Sequence, residues 1–183
     1  MVQVPKYAQL EHERRFLIAV SPDLSDLPFR LIEDLYISAT RMRLRAIIHS
    51  CGQQVEFKLC KKYPMENLFS GAIVSVYLTE AEYAVLAQLP GKRIRKRRHR
   101  LEFAAAAFAV DVFEDQLAGL ILCEVEAASA EDLQSIPTPS WLGQEVTADP
   151  FFRGANLAHI SASVLRTKLS SVGPVAGPAQ NLM

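Results

Sequence analysis

Glu11-His12-Glu13-Arg14-Arg15-Phe16-Leu17-Ile18 is the stretch on which the reading of this chain turns. In an extended strand, alternate residues share a face. Glu11, Glu13 and Arg15 therefore fall on one side, and Phe16 and Ile18 on the other. The same division recurs along the chain. Arg41, Arg43 and Arg45 oppose Met42, Leu44 and Ala46, and Lys96, Arg98 and Arg100 follow Ile94 on one face. Asp111 opposes Val110 and Val112, while Glu124 and Glu126 oppose Ile121, Cys123 and Val125. An ordinary antiparallel sheet also turns a polar side to water. Here, however, each polar face concentrates one sign, with acids on the first and last strands and bases between. If the strands close into a barrel with these faces inward, acids and bases line one cavity. The apolar faces then point outward and need helices to cover them. Several Arg and Lys in a cavity suit a polyanion, and carboxylates suit hard cations that bridge to it. The chemical reading is phosphate with Mg2+ or Mn2+.

Strand signals dominate the rest of the chain. Leu10–Val20, Leu31–Ile48, Gln53–Cys60, Gly71–Leu78, Arg93–Glu102, Phe108–Phe113 and Leu117–Ala127 read as strands, the second long enough for two strands or a bent one. Thr79 caps a helix over Glu80–Leu89, with Glu82 completing a capping box. Ser129 caps Ala130–Ser135, with Asp132 the third residue on, and Asn156–Leu169 carries apolar residues at helical spacing. The fold class is α+β, mainly antiparallel β. Residues 1–169 read as one domain, and the Gly- and Pro-bearing segment 170–183 as a flexible tail without function.

Composition narrows the function. Half of the 183 residues are apolar and 22% are charged, which suits a globular chain with a buried core. Twenty Lys and Arg balance twenty Asp and Glu, which argues against a dedicated nucleic-acid binder. The basic run Lys92 to Arg100 resembles a localisation or nucleic-acid patch, but the strand reading accounts for Lys96 and Arg98, and no aromatic residues interleave with it. The longest apolar stretch, Phe103 to Val110, falls far short of the roughly 20 residues of a membrane span. The first residues have no signal-peptide pattern. Cys51, Cys60 and Cys123 are odd in number and far apart, so they read as buried thiols in a reducing cytoplasmic compartment. His12, His49, His99 and His159 share no ligand spacing and read as non-catalytic.

These residues resemble the CYTH superfamily, the triphosphate tunnel metalloenzymes. The family's ExExK strand is matched by Glu11-His12-Glu13-Arg14-Arg15, its Tyr-bearing strand by Tyr36, and its RxR strand by Arg41-Met42-Arg43-Leu44-Arg45. Phe57-Lys58-Leu59-Cys60-Lys61-Lys62 looks like the lysine strand, with Lys62 the best fit to its phosphate lysine, and Lys96-Arg97-Arg98 looks like KxR. Asp111-Val112-Phe113 resembles D-x-F, and Gly119 to Glu126 resembles GLxxxExE. Leu142-Gly143-Gln144-Glu145-Val146-Thr147 resembles LGxEVT. The match runs in order from about Leu10 to Ala158. It departs at Arg15, which replaces a lysine with a planar, permanently charged fork. It departs again at Ile73–Leu78, which lacks the charged pair many members carry there.

The resemblance implies a closed eight-stranded antiparallel tunnel that binds a triphosphate with divalent metal. It implies Glu11, Glu13 and Glu126 as the leading metal ligands, then Glu124, with Asp111 and Glu145 orienting waters or basic groups. Arg43, Arg45, Lys62, Lys96 and Arg98 would hold phosphate oxygens, with Arg15 as a further contact. Arg41 and Arg100 share those faces but sit near strand ends. The implied reaction is metal-dependent hydrolysis of a small-molecule triphosphate, foremost tripolyphosphate to diphosphate and phosphate. Thiamine or nucleoside triphosphatase and class IV-like adenylate cyclase are alternatives on the same fold. A non-hydrolytic polyphosphate-binding module is the alternative from another class, motivated by Arg15. Homodimerisation through an outer apolar patch is a family-level expectation.

Overall fold

The computed structural model describes residues 4–50, 55–63, 65 and 69–172. Five strands come first: β1 (Gln9–Ile18), β2 (Phe29–Ile37), β3 (Met42–His49), β4 (Val55–Tyr63) and β5 (Ser70–Leu78). After helix α1 (Glu80–Leu86) come β6 (Gly91–Phe103), β7 (Ala106–Phe113) and β8 (Ile121–Ala127). Then follow α2 (Ala130–Ser135), β9 (Leu142–Glu145), α3 (Gly154–Leu157) and α4 (Ala162–Ser171). Neighbours run β1-β5-β4-β3-β2-β6-β7-β8 and back to β1, all antiparallel, so eight strands close on themselves. Closure leaves no free sheet edge among them.

Several sequence expectations are refined. The stretch Leu31–Ile48 is a hairpin, with Asp34 opposite Arg45 and Tyr36 opposite Arg43. The segment Leu117–Ala127 is extended only from Ile121; before it, a short 3-10 turn over Asp115–Leu117 leads to Gly119 at φ 97°. That backbone region favours glycine. β9, absent from the expected strands, adds outside the ring against Phe16 and Ile18 of β1. The helix expected over Asn156–Leu169 is two: α3 ends before His159, and Ser161 caps α4 through the Val164 amide. α4 continues to Ser171, past the expected start of the tail. Residues 173–183, and Cys51 with Gln53 and Gln54, lie outside the described residues. The Thr79–Glu82 capping box forms.

Two apolar clusters lie on the outside of the barrel, as the alternation requires. Phe16, Ile18, Phe108, Val110, Cys123 and Val125 pack beneath Leu133 of α2 and Leu142 of β9. Leu35, Ile37 and Leu44 pack against Tyr83 and Leu86 of α1. A third cluster was not expected. Leu17, Ile94, Phe113 and Leu122 share strand parity with the charged inward residues, yet they meet Phe152, Leu157 and Leu165 of the C-terminal stretch. The inner faces therefore turn apolar at one end, and the C-terminal residues cover it. Fully burying each such side chain contributes roughly 1.5–3 kcal/mol. Gly154 makes the fit: a Cβ there would overlap the Tyr36 hydroxyl.

Candidate active site

The barrel encloses a cavity of about 710 Å3. Strand parity fills it as the alternation predicts. Glu11, Glu13 and Arg15 enter from β1, Arg43 and Arg45 from β3, and Lys62 from β4. Lys96 and Arg98 enter from β6, and Glu124 and Glu126 from β8. The basic run Lys92 to Arg100 is divided by the same rule. Lys96 and Arg98 point inward, while Arg95 and Arg97 pair with Glu114 outside at 3.0 and 2.8 Å. Arg100 pairs with Glu102 in solvent.

The interior acids divide into two groups by what they touch. In the first group, each carboxylate is saturated by basic side chains. Asp111 accepts from Lys96 Nζ at 2.5 Å and from Arg98 Nε and Nη2, both at 2.6 Å. Glu124 accepts from Arg15 Nε at 2.9 Å and Arg98 Nη2 at 2.6 Å. Burial would raise both carboxyls, but Arg98 and Lys96 beside Asp111, and Arg15 and Arg98 beside Glu124, hold them below the usual carboxylate range. Lys96 answers in the opposite sense, since its burial lowers the ammonium pKa more than Asp111 restores it.

The third member of this group escaped the sequence reading. Asp34, 2% exposed, accepts from Arg45 Nε at 2.7 Å and Nη2 at 2.8 Å, with Arg43 Nε at 3.6 Å. Burial opposes its charge, but Arg45 and Arg43 overcome burial and hold the carboxyl far below its ordinary range. Its signal was present: Asp34 shares strand parity with Tyr36, whose hydroxyl bonds Arg43. Arg41, Arg153 and His159 also border the cavity, the last two brought there by the C-terminal turn.

The second group lies along β1 and β8. Glu13 and Glu126 are directly opposed in register. Glu13 accepts from Arg15 Nη2 at 2.7 Å, and Glu11 stands 3.2 Å from Lys62 Nζ. Desolvation, then repulsion from Glu11, Glu124 and Glu13, raises the Glu126 carboxyl. This corner is short of positive charge, and its donors are hard oxygens. Both facts fit a divalent cation such as Mg2+ or Mn2+. Among the described residues, no three His, Cys, Asp or Glu side chains already converge as a metal site. Arg15 and Lys62 draw Glu13 and Glu11 aside.

Glu145 does not join the interior set. β9 lies outside the ring, and Glu145 accepts from Arg14 Nη2 at 2.8 Å and from the Thr147 hydroxyl at 2.8 Å. The metal-side role expected for it is corrected by this placement. Thr147 also accepts the Arg15 amide at 2.9 Å, so the LGxEVT segment braces β1 from behind. His12 pairs with Ser70 at 2.8 Å, away from the glutamates. Cys60 and Cys123 are buried free thiols, as expected.

No protein-family model matches the chain. A protein of Nitrosomonas europaea named inorganic triphosphatase is 30% identical over 156 residues, which span 81% of this chain and 96% of that protein. A crystal structure of an inorganic triphosphatase superposes with a TM-score of 0.54 at 26% identity, over 81% of this chain and 93% of the other. A solved Bacillus halodurans chain, 15% identical with a TM-score of 0.51, covers 73% of this chain and 96% of its own length, and shares the fold. No helix among the described residues is long and apolar enough to cross a membrane. The closed eight-stranded barrel, the ordered motifs along its inner faces and the relationship across most of both chains agree: this chain belongs to the inorganic triphosphatase family of the CYTH, or triphosphate tunnel metalloenzyme, superfamily.

Proposed function

We propose that this chain hydrolyses tripolyphosphate to diphosphate and phosphate inside the barrel, with Mg2+ or Mn2+. One observation carries the reading. Arg43, Arg45, Lys62, Lys96 and Arg98 share a closed cavity with a corner of carboxylates, Glu11, Glu13 and Glu126, that is short of positive charge. The relationship to a protein named inorganic triphosphatase supports the same choice of substrate.

The chain's own residues divide the work. Arg43 and Arg45, steadied by Asp34, present guanidinium forks that grip two phosphate oxygens at once. Lys96 and Arg98, steadied by Asp111, do the same from β6. These fixed cations favour the charge that collects on phosphate oxygens as the terminal phosphoryl group departs. Glu11, Glu13 and Glu126 would hold the metal, with Glu124 behind them bound to Arg15 and Arg98. The metal would supply Lewis-acid neutralisation of the phosphate oxygens. Arg15 both neutralises Glu13 and reaches the cavity, so its replacement of lysine keeps the charge while fixing its direction.

The test is phosphate release from tripolyphosphate, ATP and thiamine triphosphate in parallel, with Mg2+, Mn2+ or chelator. Metal-dependent release foremost from tripolyphosphate is expected. Glu13→Gln and Glu126→Gln should each abolish it while the circular dichroism spectrum stays native. Full activity in either variant would remove its role, and tight binding of tripolyphosphate without release would make the protein a binding module.

A further inference from the structure

A second cavity, of about 800 Å3, lies outside the barrel and shares no lining residue with the tunnel. The connection between β1 and β2 arches over it, and Phe29, His99 and Trp141 contribute rings to its wall. His99 is on the outward parity of β6 and 5% exposed, so its ring is enclosed almost completely. Its Nδ1 is buried and has no hydrogen-bond partner. The Leu27 carbonyl accepts from the ring, which leaves Nδ1 as a bare acceptor. Burial and the neighbouring Arg97 lower its pKa, so the imidazole stays neutral at pH 7. A buried acceptor without a donor costs about 1–3 kcal/mol, and the tunnel chemistry gives this one no use.

The charged groups at this cavity are already matched. Asp23 accepts from the Ser25 amide at 3.0 Å and hydroxyl at 2.6 Å. Arg97 pairs with Glu114 at 2.8 Å, and its guanidinium lies 5.7 Å from the centre of the Phe29 ring. Nothing here calls for an ionic occupant, and a polyphosphate would find no free cation. The rings favour a flat, uncharged partner. Phe29 and His99 stand 5.7 Å apart, tilted, and Trp141 is held edge-on against Phe108 at 5.8 Å.

From this we infer a second binding site, built on His99, Phe29 and Trp141, for a small neutral planar ring that donates one N–H or O–H hydrogen bond to His99 Nδ1. It is chemically the inverse of the tunnel: uncharged, aromatic and reading a single donor. Phenol and anisole make the test, since they share a ring and differ in the hydroxyl proton. The full chain, labelled with 15N in its histidine rings, is titrated with each and followed by ring-nitrogen NMR. Phenol should shift the non-protonated Nδ1 of His99 saturably, and anisole should bind about tenfold more weakly for want of the donor. Trp141, the one tryptophan in the chain, gives an independent fluorescence readout. His99→Phe should erase the preference for phenol while phosphate release from tripolyphosphate is unchanged. Should that variant misfold, the phenol–anisole pair on the unaltered protein still decides. Equal affinity for the two probes, an unresponsive His99 resonance, or a proton already on Nδ1 in the free protein would each overturn the site.

Discussion

Asp34→Asn separates the support of the phosphate arginines from the arginines themselves. The substitution keeps the shape and one acceptor oxygen. It replaces the other oxygen with an amide donor facing Arg45 Nη2, now 2.8 Å from Oδ2. One charge-assisted bond is lost, worth about 1.5–3 kcal/mol. Arg45 and Arg43 also lose the one counter-charge each has among the described residues. Breaking a buried pair on one side typically costs 3–5 kcal/mol, and the vanished desolvation of the carboxylate returns part of that. The net expectation is a loss of about 3 kcal/mol at pH 7, read by urea unfolding. For a chain of this length that lowers the thermal midpoint by roughly 6–12 °C.

The pH dependence gives the same experiment a second edge. Asp34 has a depressed folded-state pKa. Its stabilisation is therefore complete above the unfolded value near 3.9 and is lost as pH falls towards the folded value. The gap between wild type and variant should be flat from pH 5 to 8 and shrink below pH 4 by about 1.4 kcal/mol per unit. With the arginines loosened, the KM for tripolyphosphate should rise. A gap below about 1 kcal/mol at pH 7, or one that stays constant down to pH 3, would refute the reasoning that Asp34 is an ionised brace.

Arg15→Lys keeps the charge but cannot bridge Glu13 and Glu124 together, so stability should fall by about 1–2 kcal/mol in urea while metal-dependent phosphate release persists at a reduced rate. Gly154→Ala drives a methyl group into the Tyr36 hydroxyl and should cost about 1–3 kcal/mol; adding Tyr36→Phe should recover part of the thermal midpoint, and no recovery would mean the clash is elsewhere. The Glu126 carboxyl is raised, so protons compete with metal sooner there than at an ordinary glutamate. Calorimetric Mn2+ affinity should weaken as pH drops from 8 to 5, and a pH-independent affinity would exclude Glu126 from the ligand set.

Alternation made the barrel interior legible because period two is a strong constraint: a one-residue slip would turn every charge outward. Glu11, Glu13, Arg43, Arg45, Lys96, Arg98, Asp111, Glu124 and Glu126 could be assigned to inner faces on that ground alone. Asp34 was harder to see, since it lies beside Glu33 on a strand whose other inward residue nearby, Ile32, is apolar. Glu145 was misread for a different reason. A four-residue strand has too little pattern to declare a face, and its partner strand decides which side it joins. The apolar end of the tunnel was likewise hidden. Leu17, Ile94 and Leu122 obey the inward parity, but only the returning C-terminal stretch makes that end a core.

The interior charges explain why substrate and metal should depend on one another. Glu11, Glu13, Asp34, Asp111, Glu124 and Glu126 face Arg15, Arg43, Arg45, Lys62, Lys96 and Arg98, six against six, and nearly all are engaged. A triphosphate entering alone would bring several negative charges into a cavity with no surplus to meet them. It gains Arg15 or Lys62 only by displacing Glu13 or Glu11, and each displaced carboxylate adds repulsion near Glu126. A divalent cation entering alone must likewise pull those glutamates from their basic partners. Together, the phosphate takes the bases and the metal takes the acids, so each ligand pre-empts the cost the other would meet. Coupling of this kind is reciprocal by thermodynamic necessity. Asp34 and Asp111 stand outside the exchange, because their partners are buried too deeply to be released, and they keep the arginine forks in place while the glutamates change hands.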